Sequence, residues 1–281
     1  MRANRCSPRT VVTLPLRENE PAHEREVHRH LARSLAVLLG GHYGGDHDPE
    51  RTADDQRPPY FLPSTTIVGL ERARALGIRD DDDLFGGVVD RAFICTKAIT
   101  HPLTAADARR PPGWSDAFAQ RTRDAVLPGW TAFSIDDLRE GARRLLERGP
   151  ARLKPVHATA GRGQQVLERL QDVDAALECF PGLYASRRNY DAAQGRDAAG
   201  RWCSGVLEQS WRVGGASAAE IGAMLALHAD PALQAVRTCS YEVYGEAPRR
   251  EDATVLYAGN DPELGELTKY VNVTIEAHGD T

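Results

Sequence analysis

The alternation of short apolar runs with segments of helical period most constrains what this chain can fold into. Thr10–Leu16 is an apolar run of strand length. It is followed from Pro21 to Leu39 by a charge-rich segment with Val27, Leu31, Leu35, Leu38 and Leu39 at helical spacing, which Gly40-Gly41 stops. Tyr60–Leu62 reads as a strand, Thr66–Leu76 as a helix closed by Gly77, and Val88–Ile94 and Trp130–Phe133 as further strands. Ser134 with Asp137 forms a capping box that opens a helix ending at Gly149, after which Ala151–Val156 reads as a strand. Gly44–Pro59, Leu103–Gly113 and His157–Gly163 read as loops. An α/β beginning follows from this order.

The last hundred residues are richer in strand signals. Tyr190–Ala193 and Cys203–Leu207 flank the turn Asp197-Ala198-Ala199-Gly200 as a hairpin. Ser217 with Glu220 suggests a second capping box, opening a helix to about His228. Ala253–Tyr257 and Tyr270–Ile275 are strand candidates joined across Gly259–Gly265, and Val173–Glu178 is a short helix candidate.

Composition narrows the function. No apolar run approaches the ~20 residues of a membrane-spanning helix, and the N-terminus lacks the apolar core of a secretory signal. A net charge of −5 argues against a nucleic-acid binder that works by bulk electrostatics. Cys6, Cys95, Cys179, Cys203 and Cys239 are odd in number and contain no C-x-x-C pair, so a reducing cytoplasm is expected. Of 35 basic residues only Lys97, Lys154 and Lys269 are lysines. A base-composition bias explains the arginines, and it singles out lysines at places where a compact ammonium must meet a phosphate.

Two stretches could carry chemistry. In Arg152–Gln164 a strand ends at Lys154 and leads into a loop holding Gly161, Arg162 and Gly163, which reads either as a phosphate-covering loop or as a plain connection. In Asn189–Ser217 the hairpin brings Asp191 nearly opposite Glu208, with Glu208, Ser210 and Arg212 on one face by strand alternation. Two carboxylates and a hydroxyl suit Mg²⁺, and Arg212 could clamp a phosphate or carboxylate. The alternative is an exposed hairpin with a surface ion pair. Asp80–Asp83 reads as a solvated loop or helix start, and His23–His30 as a solvated helix face, since its histidines lack the i, i+4 spacing of a zinc motif.

The phrases DDDLFGGVV, TKAITHPL, RLKP, ASRRNYDAAQGRDAAGRW and LEQSWRVGGAS resemble an uncharacterised bacterial family of ATP-grasp-like proteins, some called biotin-carboxylase-like. The resemblance implies an α+β fold with an N-terminal α/β domain over 1–95, a lid segment over 96–178 and a C-terminal metal-binding mixed sheet over 179–281. It further implies that Lys97, Lys154, Gly161, Arg162 and Gly163 contact ATP, that Asp191, Glu208 and Ser210 hold Mg²⁺, and that Arg212 orients the reacting acyl group. The implied activity is ATP-dependent activation of a small-molecule carboxylate, with no nucleic-acid or membrane partner. Ser210 stands where the superfamily has Asn, and only Gln165–Asn189 separates the glycine loop from the hairpin. The block that holds adenine is thus expected to be missing, which leaves a non-catalytic binding module as the alternative. Arg187 and Arg188 read either as recognising an acidic substrate or as a solvated turn, and the resemblance keeps the LTKY setting of Lys269 without placing it in the site.

Overall fold

The structure is a computed structural model, and it describes residues 8–17, 19–49, 58–156, 165–167, 190–196, 200–209, 212–246 and 252–275. Gly161, Arg162, Gly163, Arg187, Arg188, Ser210 and the helix expected at Val173–Glu178 lie outside the described residues. In chain order the elements are β1 (Val11–Leu14), α1 (Ala22–Leu38), β2 (Tyr43–Asp46), β3 (Tyr60–Pro63), β4 (Ile67–Val68), α2 (Leu70–Ala75), β5 (Val88–Val89), α3 (Ala117–Thr122) and α4 (Ile135–Leu146). They continue with β6 (Ala151–Leu153), β7 (Gln165–Leu167), β8 (Tyr190–Arg196), β9 (Trp202–Gln209), α5 (Ser217–Ala229), β10 (Val236–Tyr244), β11 (Ala253–Asp261) and β12 (Gly265–Ile275). The whole is a mixed α and β chain with several separate sheets.

The chain divides into two compact units, neither of them continuous in sequence. The first takes residues 1–67, 71–87 and 212–281, and the second takes 68–70 and 88–211. The boundaries expected at 95/96 and 178/179 follow the linear chain. The observed division instead joins the N-terminal strands to the last seventy residues.

In the first unit β1 lies between β2 and β3, parallel to both, with Val11 opposite Tyr60 and Leu14 opposite Pro63. Parallel neighbours need a crossover, and α1 supplies the one from β1 to β2. Its apolar face buries Leu31, Ala32, Leu35 and Ala36 against Val11 and Leu62 on one side and against Ala218 and Ile221 of α5 on the other. The antiparallel sheet β10-β12-β11 closes the same core through Val271. The resulting order is sheet, helices, sheet, and it is what a twofold-apolar helix demands: two surfaces to cover it.

The second unit is built of short pieces. The β6–β7 and β8–β9 ribbons are both antiparallel, and α4 packs Leu138, Leu145 and Ala142 against Ala151 of β6. Short 3-10 turns stand at Asp81–Asp83 in the first unit, where a loop or helix start is expected, and at Ala92–Cys95 and Lys97–Thr100 in the second, the former in place of expected strand.

Several expectations need correction. Val88–Ile94 is strand only at Val88–Val89, because Arg91 begins a 3-10 turn that buries Phe93 and Cys95. Trp130–Phe133 contributes a single bridge, Thr131 to Leu103, rather than a strand. Thr66–Leu76 is split into a short strand and a helix, with Gly69 at φ 96° between them. The Ser134 cap is present, its hydroxyl accepting from the Asp137 amide. At α5 the cap differs: Ser217 lies inside the first turn, and its hydroxyl accepts from Gly214 N at 3.0 Å. Strand β10 pairs with β12 along its whole length and was not anticipated.

Candidate functional site

The second unit gathers sequence-selected residues around the 3-10 turn Lys97–Thr100. Thr96 caps this turn by accepting from Ala98 N at 3.0 Å, and Thr131 fixes its far side, donating its hydroxyl to Ala98 O at 2.6 Å. Lys97 opens the turn and is half-buried. His101 follows the turn directly, its ring packed where a Cβ on Gly129 would fall 2.7 Å from three ring atoms. Glycine is therefore required at 129 for the imidazole to sit there.

Lys154 follows β6, as the sequence indicated. Burial, and after it the Lys154 ammonium, bring the His101 pKa down to about 4. A neutral imidazole beside a fixed cation can accept a hydrogen bond at any pH near neutrality.

Strand β9 lies against the same turn. Along the β8–β9 ribbon Arg196 faces Trp202 and Ala192 faces Val206, and then the register shifts so that Asp191 faces Glu208. The shift is a bulge with Leu207 as the additional residue. Without it, Asp191 would stand opposite Leu207. Among the described residues no group of three His, Cys, Asp or Glu could hold a metal ion.

Arg212 takes no place on β9, because the strand ends at Gln209. The alternation expected for Glu208, Ser210 and Arg212 on one face therefore does not extend to Arg212. That residue belongs to the first unit, where it is buried, donates Nη1 to Val213 O at 3.1 Å and acts electrostatically on Glu24. Burial alone would raise the Glu24 pKa, but Arg17, which bonds it directly, and then Arg212 and His28 lower it to about 2. Lys269 is also in the first unit and pairs with Glu242 at 2.9 Å, the residue opposite it across β10 and β12.

A family profile described as Protein of unknown function (DUF3182) matches residues 11–178 and 173–271. The chain belongs to the DUF3182 family. No curated protein and no solved structure matches it. The family match falls into two pieces that overlap at 173–178, inside the stretch where the sequence reading expects a block to be absent.

This DUF3182 chain also carries polar groups that sequence reasoning misread as solvated. His23 is buried and bonds Asp261 at 2.7 Å, and His28 is buried beside Glu20 at 2.6 Å. The two histidines, five residues apart and so on different sides of α1, are thus both interior. Asp83 is fully buried, where its run of four acids suggested solvent exposure, and it pairs with Arg9 at 2.9 Å. His101 lies in the phrase TKAITHPL, which carried the family resemblance and was the one signal that could have drawn attention to it. Among the described residues no helix is long and apolar enough to cross a membrane.

Proposed function

We propose that this protein is an ATP- and Mg²⁺-dependent carboxylate-activating ligase of the ATP-grasp kind, acting on a small-molecule carboxylate. The observation that carries the reading is the convergence on one 3-10 turn. Lys97 opens that turn, His101 under the influence of Lys154 closes it, and the strand bearing Glu208 lies against it. Two carboxylates set opposite each other in a ribbon fit Mg²⁺, which takes one or two carboxylates and completes its shell with water and phosphate oxygens. Asp191 and Glu208, with Ser210, would hold that ion.

The ammonium groups of Lys97 and Lys154 would meet phosphate oxygens as point charges, and Gly161, Arg162 and Gly163 would cover them. Arg212 lies in the first unit with partners of its own and is left out of this arrangement. ATP, when bound, supplies the phosphoryl group that activates the carboxylate. The chain's own contribution is positioning and charge neutralisation.

A second reading, a shortened relative that binds a nucleotide, metabolite or partner without turnover, is favoured by the two-piece family match. A chain lacking a block gives a match in pieces, and this break falls between the glycine loop and the hairpin.

Melting with and without Mg-ATP tests the first reading. A ligand at 100 times its Kd adds about 2.7 kcal/mol to the folded state, so millimolar Mg-ATP should raise the melting temperature. Lys154→Ala and Glu208→Ala should abolish the rise and leave the ligand-free melt in place. No rise in a folded sample overturns nucleotide binding. A rise with no phosphate release across a panel of carboxylates and amines supports the second reading.

A further inference from the structure

Three parallel strands of the first unit end at one edge of their sheet. Leu14 closes β1, Asp46 closes β2, and Ser64 follows directly on Pro63, the last residue of β3. Strand β1 lies between the other two, so the chain leaves it for β2 on one side and returns as β3 on the other. Such a reversal opens a crevice beyond the carboxyl ends of the strands, and open α/β sheets hold their ligands there. In this crevice is a space of about 10 Å³, room for one water-sized group, and its lining includes Thr13, Glu20, Arg25, His28, Asp46 and Ser64.

Two of these groups lack what buried groups require. The side chains of Glu20 and His28 are only 3 % and 7 % exposed. Glu20 Oε1 lies 2.6 Å from His28 Nδ1 and 3.7 Å from Arg17 Nη2, yet neither Oε1 nor Nδ1 completes a hydrogen bond. The contacts are Coulombic, and the buried carboxylate oxygen still wants an aligned donor. Two more acceptors stand beside it. Ser64 Oγ takes the Leu16 amide at 2.9 Å and keeps a second lone pair. Asp46 accepts from Thr13 at 2.6 Å and from Arg29 at 2.9 Å, and a carboxylate has lone pairs for more. Arg25 is exposed, and the one hydrogen bond it makes from its side chain among the described residues runs from Nη2 to Glu20 O at 3.2 Å. Its guanidinium, with five N–H groups, thus lines the same space with donors to spare.

We infer that this crevice is a binding site for a free α-amino acid, whose ammonium group occupies the space among Glu20, Ser64 and Asp46 and whose carboxylate meets Arg25. The three N–H bonds of an ammonium match three acceptor side chains, whereas a water has only two donors to give. A simple amine would leave Arg25 without an anion, and a bare anion would face two carboxylates. The enclosed space admits the ammonium alone, so the amino-acid side chain lies outside it. The assignment stands on first-unit residues and does not rest on the nucleotide reading.

Titration calorimetry of the full chain with the common L-α-amino acids, and with the N-acetyl and amide derivatives of those that bind, tests it. At least one amino acid should bind saturably at millimolar concentration. Acetylation removes the ammonium and amidation removes the carboxylate, and each should weaken binding about tenfold or more. Glu20→Gln should abolish binding in a chain whose melt is retained, and Ser64→Ala should weaken it about tenfold. Arg25→Gln, at an exposed position, should leave acid and amide with equal affinity. Absence of saturable binding by every amino acid overturns the assignment. So does an N-acetyl or amide derivative that binds the unaltered chain as well as its parent, and so does binding that survives Glu20→Gln.

Discussion

Removing the Asp83 carboxylate should cost this protein more than any exposed charge deletion. Asp83 has no exposed surface, and it accepts from Arg9 Nη2 at 2.9 Å, from Arg79 Nε at 2.9 Å, and from the Arg79 amide and Nη2 at 3.0 Å each. Arg79 is 71 % exposed, so its loss of a partner is compensated by water. Arg9 is 7 % exposed and has no such recourse. Its other bonds go to carbonyls, Asp82 O at 2.6 Å, Pro58 O at 3.0 Å and Pro59 O at 3.3 Å, and its guanidinium lies 5.6 Å from the Tyr60 ring centroid; none of these carries a countercharge. Asp83→Ala therefore strands a buried guanidinium, a change worth about 3–5 kcal/mol. In a chain of this size that is a fall in melting temperature on the order of 10 °C.

The sign of the pH effect follows from the same bonds. Hydrogen bonding to the Arg79 side chain, and then to its amide and to Arg9, lowers the Asp83 pKa far below its ordinary 3.8. The pair's contribution is complete above that value and is lost as pH falls below it. Replacing both partners with apolar residues, Arg9→Met with Asp83→Leu, should recover most of the loss, because neither charge is then buried alone. Thermal and urea melts of the single and double variants decide the matter. A loss under about 1 kcal/mol for Asp83→Ala, or a double variant no better than the single, would refute the reasoning.

Other expectations are nearer the candidate site. His101 is held neutral at about 4, whereas an unfolded chain protonates near 6.5. Stability should thus fall by roughly 3 kcal/mol as pH drops through that window, and His101→Gln should flatten the slope in melts taken across it. Lys154→Met should move the His101 titration upward in an NMR pH series, and an unmoved titration would separate the two residues. Gly129→Ala should lower the melting temperature, since the new Cβ must displace the His101 ring; a crystal structure with that ring in place would count against the packing. Ser134→Ala should remove the cap of α4 at a cost of about 1 kcal/mol, read from thermal melts.

Local signals were legible. The periodicity of Val27, Leu31 and Leu35 gave α1 to within a residue or two, and the Ser134 box gave the start of α4, because each depends on neighbours within one helical turn. The β8–β9 hairpin was legible for the same reason, its turn lying between its strands. Strand β10 was missed because its partner β12 begins 21 residues beyond its end, with β11 between them. Sequence also misjudged polar burial. A run of four acids and a helix dotted with histidines read as wet surfaces, and each conceals a group whose partner lies far along the chain: Arg9 for Asp83, Asp261 for His23.

By itself, then, the sequence determined which segments form helices and hairpins, and which lysines and carboxylates merit attention, since such choices rest on spacing and local bonding. Tertiary structure decided which of them share a unit. It set Lys97, His101 and Lys154 about one turn, and it sent Arg212 and Lys269 into the other unit with partners of their own. It also decided the facing of Asp191 and Glu208. A hairpin counted strictly from Arg196 and Trp202 puts Leu207 opposite Asp191, and only the bulge advances Glu208 into that position. A single residue of register exchanges the two faces of a ribbon, and that choice is made by what the ribbon packs against rather than by the residues within it.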